Sequence, residues 1–326
     1  MKKKFLLPVL LAALALPLAL HNEPIGLNAE FIGEYGSKGS QDRTDYIAHA
    51  TKVNGQLADE GFVLLKNNGF LPMNGTENVS VVGKASTNLA RGGSGSGSGG
   101  VSSGVGSIDV KKSLTDVGFT LNPVTEAFYN SSRSGSGRKN GNDGWKGNSE
   151  VCIGESSIDS VTNEEGLLDS FYEYNDAAIM VIAREGSEGC DVKTCNAHDT
   201  IQTQSSSKAV SHKHALELSD NEQALFDLLH EYFDNIIMII NSSNIFECDQ
   251  FEKDDQVAGV LWIGNPGDVG PGAIGRILAG EVNPSGRTVD TWARDFTKDP
   301  TFQNFSDNAQ PRWNPNKILW YKKELY

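Results

Sequence analysis

The chain has 326 residues, 38% of them hydrophobic, enough for a packed core in one large domain or two ordinary ones. Its formal charge is −14 at pH 7, spread along the sequence, which argues against a nucleic-acid partner because such a binder needs a basic stripe to displace counterions from phosphates. The four cysteines are too few for a disulfide scaffold of this length.

Residues 1–20, MKKKFLLPVLLAALALPLAL, place three lysines before an apolar run too short for a comfortable membrane span. This is the build of an export signal, and it implies a secreted or cell-surface protein. No A-x-A site precedes His21, so an uncleaved amino-terminal anchor is the alternative, and only then would a membrane be a partner. Residues 21–44 read as a linker. A helix is expected over 45–65 (DYIAHATKVNGQLADEGFVLL), followed by a strand at 78–83 (NVSVVG). The stretch 92–107 is almost pure Gly and Ser and reads as a loop, as does the polar, glycine-dotted segment 130–150. Between them, SIDVKKSLTDVG (107–118) has helical character and Gly118 placed as its stop.

Further apolar, β-branched runs follow at 177–183, 235–241 and 257–264, separated by a helix over 218–233. In that helix Ser219 and Glu222 have capping-box spacing, and Leu225, Leu228, Leu229 and Phe233 form an apolar stripe. Continuous apolar strands are buried on both faces, so the expected fold is α/β: a three-layer αβα sandwich around a mainly parallel sheet, a single domain over 45–305. Residues 306–326 read as a polar, proline-containing surface tail.

Several motifs could carry chemistry. GSGSGG (95–100) matches G-x-G-x-x-G, but its glycines come well after Gly83 instead of in the first turn beyond a strand. GVSSG (100–104) has nucleophile-elbow spacing with no strand leading into it, and VGKAS lacks the Lys-Ser/Thr pair of a phosphate loop. No second cysteine pair stands at zinc spacing. Cys190 and Cys195 bracket a short loop and could pair, with Cys152 an alternative partner, and the state of Cys248 is open. No metal or organic cofactor is implied.

AREGSEGCD (183–191) is the more informative stretch, because it follows a central strand whose carboxyl end should meet ligand. Glu185, Glu188 and Asp191 would sit there. A partly desolvated carboxyl group beside another carboxylate has its proton affinity raised and can act as a general acid, although an ordinary acidic loop has the same composition.

LWIGNPGDVGPGAIGRILAGEVNPSGRTVDTWARDFTKDP (261–300) and LADEGFVLLKNNGFLP (57–72) resemble the carboxyl-terminal α/β-sandwich domain of glycoside hydrolase family 3, the β-glucosidases and β-xylosidases. The resemblance continues through VVGKASTNLARGGSGSG, SFYEYNDAAIMVIAREGSEGCD, HALELSDNEQALFDLL and IIMIINSSN, covering about 45 to 305. It implies a β-linked oligosaccharide or glucoside as ligand. It also implies that Glu188, in the E-G-x-D pattern of SEGCD, is the acid/base residue, with Glu185 in reserve. Arg184 and Asp191 would shape the loop or touch a sugar hydroxyl, and Lys66 and the 92–100 glycine loop would line the same edge.

The family's aspartate nucleophile comes from a TIM barrel, which takes roughly 250 residues. No such segment is visible here, so the barrel is expected to be encoded separately or to be missing, leaving the chain inactive alone. Some secreted bacterial members resemble this chain in placing the sandwich before the barrel. The alternative is a non-catalytic carbohydrate-binding or structural module, with Trp145, Trp313 and Trp320 as stacking faces.

Overall fold

The computed structural model describes residues 41–92, 106–135, 137, 154–184 and 213–302. The chain divides into two compact units at Val53/Asn54, and of the first only residues 41–53 are described, all helical.

The second unit carries one mixed sheet of six strands in the order β1-β6-β5-β4-β2-β3. Strands β2 (Asn78–Val82), β3 (Thr120–Leu121), β4 (Ala177–Arg184), β5 (Ile236–Ser242) and β6 (Val257–Trp262) run parallel. Strand β1 (Val63–Asn67) pairs antiparallel with β6 at one border. Every residue of β4 and β5 is buried, as continuous apolar runs require.

Side-chain alternation sorts these strands into two cores. Met180, Ile182, Met238 and Ile240 face a layer containing α3 (Pro123–Asn130), α4 (Ile158–Thr162), α5 (Leu167–Phe171), α6 (Asp220–Leu229) and α7 (Asp249–Lys253). Phe128, Phe171, Leu225 and Phe251 fill that interface. Ile179, Val181, Ile237 and Ile239 face the other layer, where α2 (Val110–Thr115) and α8 (Gly272–Leu278) contribute Leu114, Ile274 and Leu278. Each such burial contributes about 1.5–3 kcal/mol. Two helix layers on one sheet make the α/β sandwich that the strand pattern demands.

Helix α2 pushes close to α8 because Gly275 has no Cβ; one built there would collide with the backbone oxygen of Ser113. Helix α6 begins with the expected capping box, Ser219 with Glu222. The first helix differs from expectation: α1 spans Gln41–Gly61, and the VLL that suits a helical stripe equally well belongs to β1. Pairing of Val63 with Trp262 and Leu64 with Leu261 captures this segment for the sheet.

Candidate functional site

All parallel strands end at one edge of the sheet, where ligands meet open α/β folds. At the end of β2, Gly83 takes φ 91, and a Cβ there would stand 2.5 Å from the Val181 oxygen of β4. The turn delivers Lys84 inward. Its Nζ donates to the Tyr129 carbonyl at 2.6 Å and the Ser134 hydroxyl at 2.7 Å, while its backbone N–H donates to Glu155 at 2.8 Å. Burial lowers the Lys84 pKa, partly offset by the Glu155 charge. The lysine of VGKAS is therefore an internal brace.

At the end of β4, Arg184 is 1% exposed, and its partner Glu222 on α6 is 2% exposed. Its Nη1 donates to Glu222 at 2.8 Å and the Ala183 carbonyl at 2.9 Å. Its Nη2 donates to Glu222 at 2.6 Å and the Glu217 carbonyl at 2.8 Å, and Nε donates to the Ala215 carbonyl. The guanidinium carbon lies 5.1 Å from the centre of the Phe246 ring. A guanidinium has five N–H groups, and all five are engaged. The expectation that Arg184 touches a sugar hydroxyl is thus corrected: it has no donor left for one. Instead it ties the residue that opens the 185–212 segment to residues 215–222 just beyond that segment's return. Glu185, Glu188 and Asp191 lie outside the described residues, as do Cys152, Cys190, Cys195 and the GSGSGG motif.

Lys66 is corrected too. It sits on β1, and because β1 runs antiparallel its Nζ reaches the opposite edge of the sheet, behind α7. There it donates to the carbonyls of Phe251 (2.8 Å), Glu252 (3.2 Å) and Asp254 (2.6 Å), the orphan acceptors of a helix end. A cavity of about 420 Å³ also lies at that opposite edge, near Glu77 and Asp176. Backbone N–H groups hold two of the carboxylates there, Glu77 by Asn74 and Thr76, and Asp176 by Asn78.

Sequence reasoning missed several residues at the strand ends. Asn241 of β5, fully buried, accepts from the Ala90 N–H at 2.5 Å and donates to the Ala90 and Gly264 carbonyls at 2.9 and 2.7 Å. It fixes the chain just before the glycine-rich loop, and the NSSN motif was the available signal. Beyond β5 and β6 opens a cavity of about 400 Å³ lined by Trp262, Trp292, Phe296, Phe302 and His214, with Asp290 on its wall. Trp262 donates its indole N–H to the Ser242 carbonyl at 2.6 Å and meets Trp292 edge-on, with ring centres 5.3 Å apart. His214 Nδ1 accepts from the Leu216 N–H, so Nε2 carries the proton toward Glu247 at 3.1 Å. Cys248, next to Glu247, is a free thiol packed against the core, its pKa raised to about 12 by burial and then by the Glu247 charge. Among the described residues no group of three metal-ligating side chains comes together.

Residues 62–326 match the model of the glycosyl hydrolase family 3 C-terminal domain. The chain belongs to that family. A β-glucosidase of Ruminococcus albus is 29% identical over 267 residues, 81% of this chain and 25% of that protein. Beta-glucosidase A of Butyrivibrio fibrisolvens is 28% identical over 262 residues, 78% of this chain and 30% of its own length. Among solved structures, β-glucosidase 3B of Thermotoga neapolitana in complex with glucose aligns with a TM-score of 0.60 at 21% identity, covering 86% of this chain and 35% of that one. The family 3 chain thus spans about a quarter to a third of these relatives, and the structural likeness supports the sandwich fold.

Proposed function

We propose that this family 3 chain is the sandwich portion of an exported β-glycosidase and supplies Glu188 as the acid/base residue of a site completed by a barrel. The observation that carries this reading is the anchored end of β4. Arg184, held by five hydrogen bonds, ends β4 at the carboxyl edge of a family 3 sheet and precedes the E-G-x-D pattern in the sequence. An acid must deliver its proton to the glycosidic oxygen within hydrogen-bond reach, so the feet of its loop need a fixed origin. Retaining hydrolysis also needs a second carboxylate about 5 Å from the first, to attack the anomeric carbon and form a glycosyl ester that water then cleaves. In this reading the second carboxylate is the barrel's aspartate. Glu188 protonates the leaving oxygen and afterwards takes the proton from water; Glu185 is the reserve, and Asp191 shapes the loop. The export reading of residues 1–20 places the substrate, a β-glucoside or β-xyloside, outside the cytoplasm.

The test is turnover of cellobiose, whose departing alkoxide needs a proton, by the purified chain, alone and after fusion to a family 3 barrel domain. The chain alone should be inactive. The fusion should turn over, and Glu188→Gln should lower its rate by about 10² to 10⁴. A fusion indifferent to Glu188→Gln would remove Glu188 from the mechanism.

A further inference from the structure

The cavity beyond β5 and β6 is not used by the acid/base reading. The strands that end at it, β5 and β6, stand one and two places from β4, about 5 and 10 Å along the sheet. It holds about 400 Å³, within the range of small-ligand pockets. Trp262 is fixed by its hydrogen bond to Ser242, and its edge-on contact sets the plane of Trp292. His214 is fixed by Leu216 and Glu247, and its ring meets Phe302 edge-on at 5.4 Å. Against these fixed groups several polar groups remain open, the buried Asn244 amide nitrogen among them. Among the described residues neither the Trp292 indole N–H nor the Asp290 carboxylate has a protein partner. Asp299, also on the wall, uses Oδ1 for the Thr301 N–H and hydroxyl.

The chemistry of the wall selects its ligand. Aromatic faces suit the apolar C–H face of a pyranose, an open N–H and an open carboxylate suit hydroxyls, and Asp290 with Asp299 repels anions. Among the described residues of the wall the basic ring is His214, which turns its proton toward Glu247.

We propose that this cavity is a saccharide subsite at the ends of β5 and β6 that takes an uncharged β-linked sugar unit with Trp292 as its stacking face and Asp290 as a hydroxyl acceptor. It rests on the β-glycosidase reading for the class of ligand and extends it: the subsite holds a sugar of an oligosaccharide beyond the bond that Glu188 serves.

The experiment is titration of the full chain with cellobiose, followed by tryptophan fluorescence and calorimetry. Expected is saturable binding that weakens at least tenfold in Trp292→Ala and severalfold in Asp290→Asn, is partly kept in Trp292→Phe, and is unchanged in Glu188→Gln. Glucuronic acid should not compete. Near-ultraviolet circular dichroism shows whether each variant is folded, and Asp290→Asn changes an exposed side chain that the core does not use. Absence of binding overturns the proposal, as does binding that Trp292→Ala and Asp290→Asn leave intact. Binding that appears only after removal of residues 303–326 also overturns it, since the tail then owns the cavity. Loss of binding in Glu188→Gln alone would overturn the subsite while favouring Glu188 as a sugar contact. Intact binding with a Glu188-independent fusion enzyme would leave the subsite standing and remove the acid/base reading.

Discussion

Arg184 and the Trp262–Trp292 cavity occupy the same edge of the sheet, yet they treat polar groups in opposite ways. Around Arg184 every donor has an acceptor and water is excluded; around Trp292 an N–H and a carboxylate have no partner among the described residues. A charged residue next to a motif looks functional in sequence, but its hydrogen-bond inventory decides. A filled inventory in a dry site marks an architectural part, and a partly open one on an aromatic wall marks a place where a ligand can add contacts.

The largest effect should come from breaking the dry side. Glu222→Leu leaves the Arg184 charge buried without a counter-ion and should cost about 3–5 kcal/mol, read from the urea midpoint at constant slope. The double variant Arg184→Met, Glu222→Leu should recover much of this, because two apolar groups replace two desolvated charges. A single-variant cost below about 1 kcal/mol would mean that water reaches the pair, and the contrast between the two regions would collapse.

An intermediate effect is expected at Cys248. Its thiol is held protonated in the fold, with a pKa raised from 9.0 to about 12 by burial first. The folded state then binds more protons than the unfolded state between these values. That stability is fully present below pH 9 and is lost as pH climbs toward 12, at about 1.4 kcal/mol per pH unit. The difference in unfolding free energy between wild type and Cys248→Ala, followed from pH 8 to 11, should show this slope. A flat difference would indicate an accessible thiol, and so would rapid alkylation of native Cys248 at pH 8.

The smallest change belongs to Lys66. Replacing it with Met removes donors from three carbonyls at the end of α7 and should cost about 1 kcal/mol, with no change in sugar binding. Altered binding in Lys66→Met would reopen its role at the ligand edge.

The sandwich was legible because β4 and β5 are continuous apolar runs, and a strand buried on both faces leaves few alternatives to a sheet between helix layers. The start of α6 was legible for a local reason, since a capping box is written in two residues, Ser219 and Glu222. β1 was not, because five residues ending a helical stripe carry no period of their own and only the antiparallel partner β6 defines them. The second duty of Glu222 was hidden for the same reason. Its contact with Arg184 spans 38 positions, and nothing in a helix cap announces a distant arginine. Lys66 misled because its neighbours match the family while its strand direction, a property of the sheet, turns it to the far edge. Trp292 lay in a stretch whose family likeness was plain, but its use as a cavity wall depends on Trp262, thirty positions earlier.

The most direct test of the central claim, that this sandwich donates the proton from Glu188, is the leaving-group dependence of Glu188→Gln in the barrel fusion. Cellobiose, whose departing alkoxide needs a proton, should be cleaved about 10² to 10⁴ times more slowly than by the unaltered fusion. Dinitrophenyl β-glucoside, whose phenolate leaves unaided, should form the glycosyl intermediate at an undiminished rate. Equal losses on both substrates would contradict the account and assign Glu188 to binding or architecture instead.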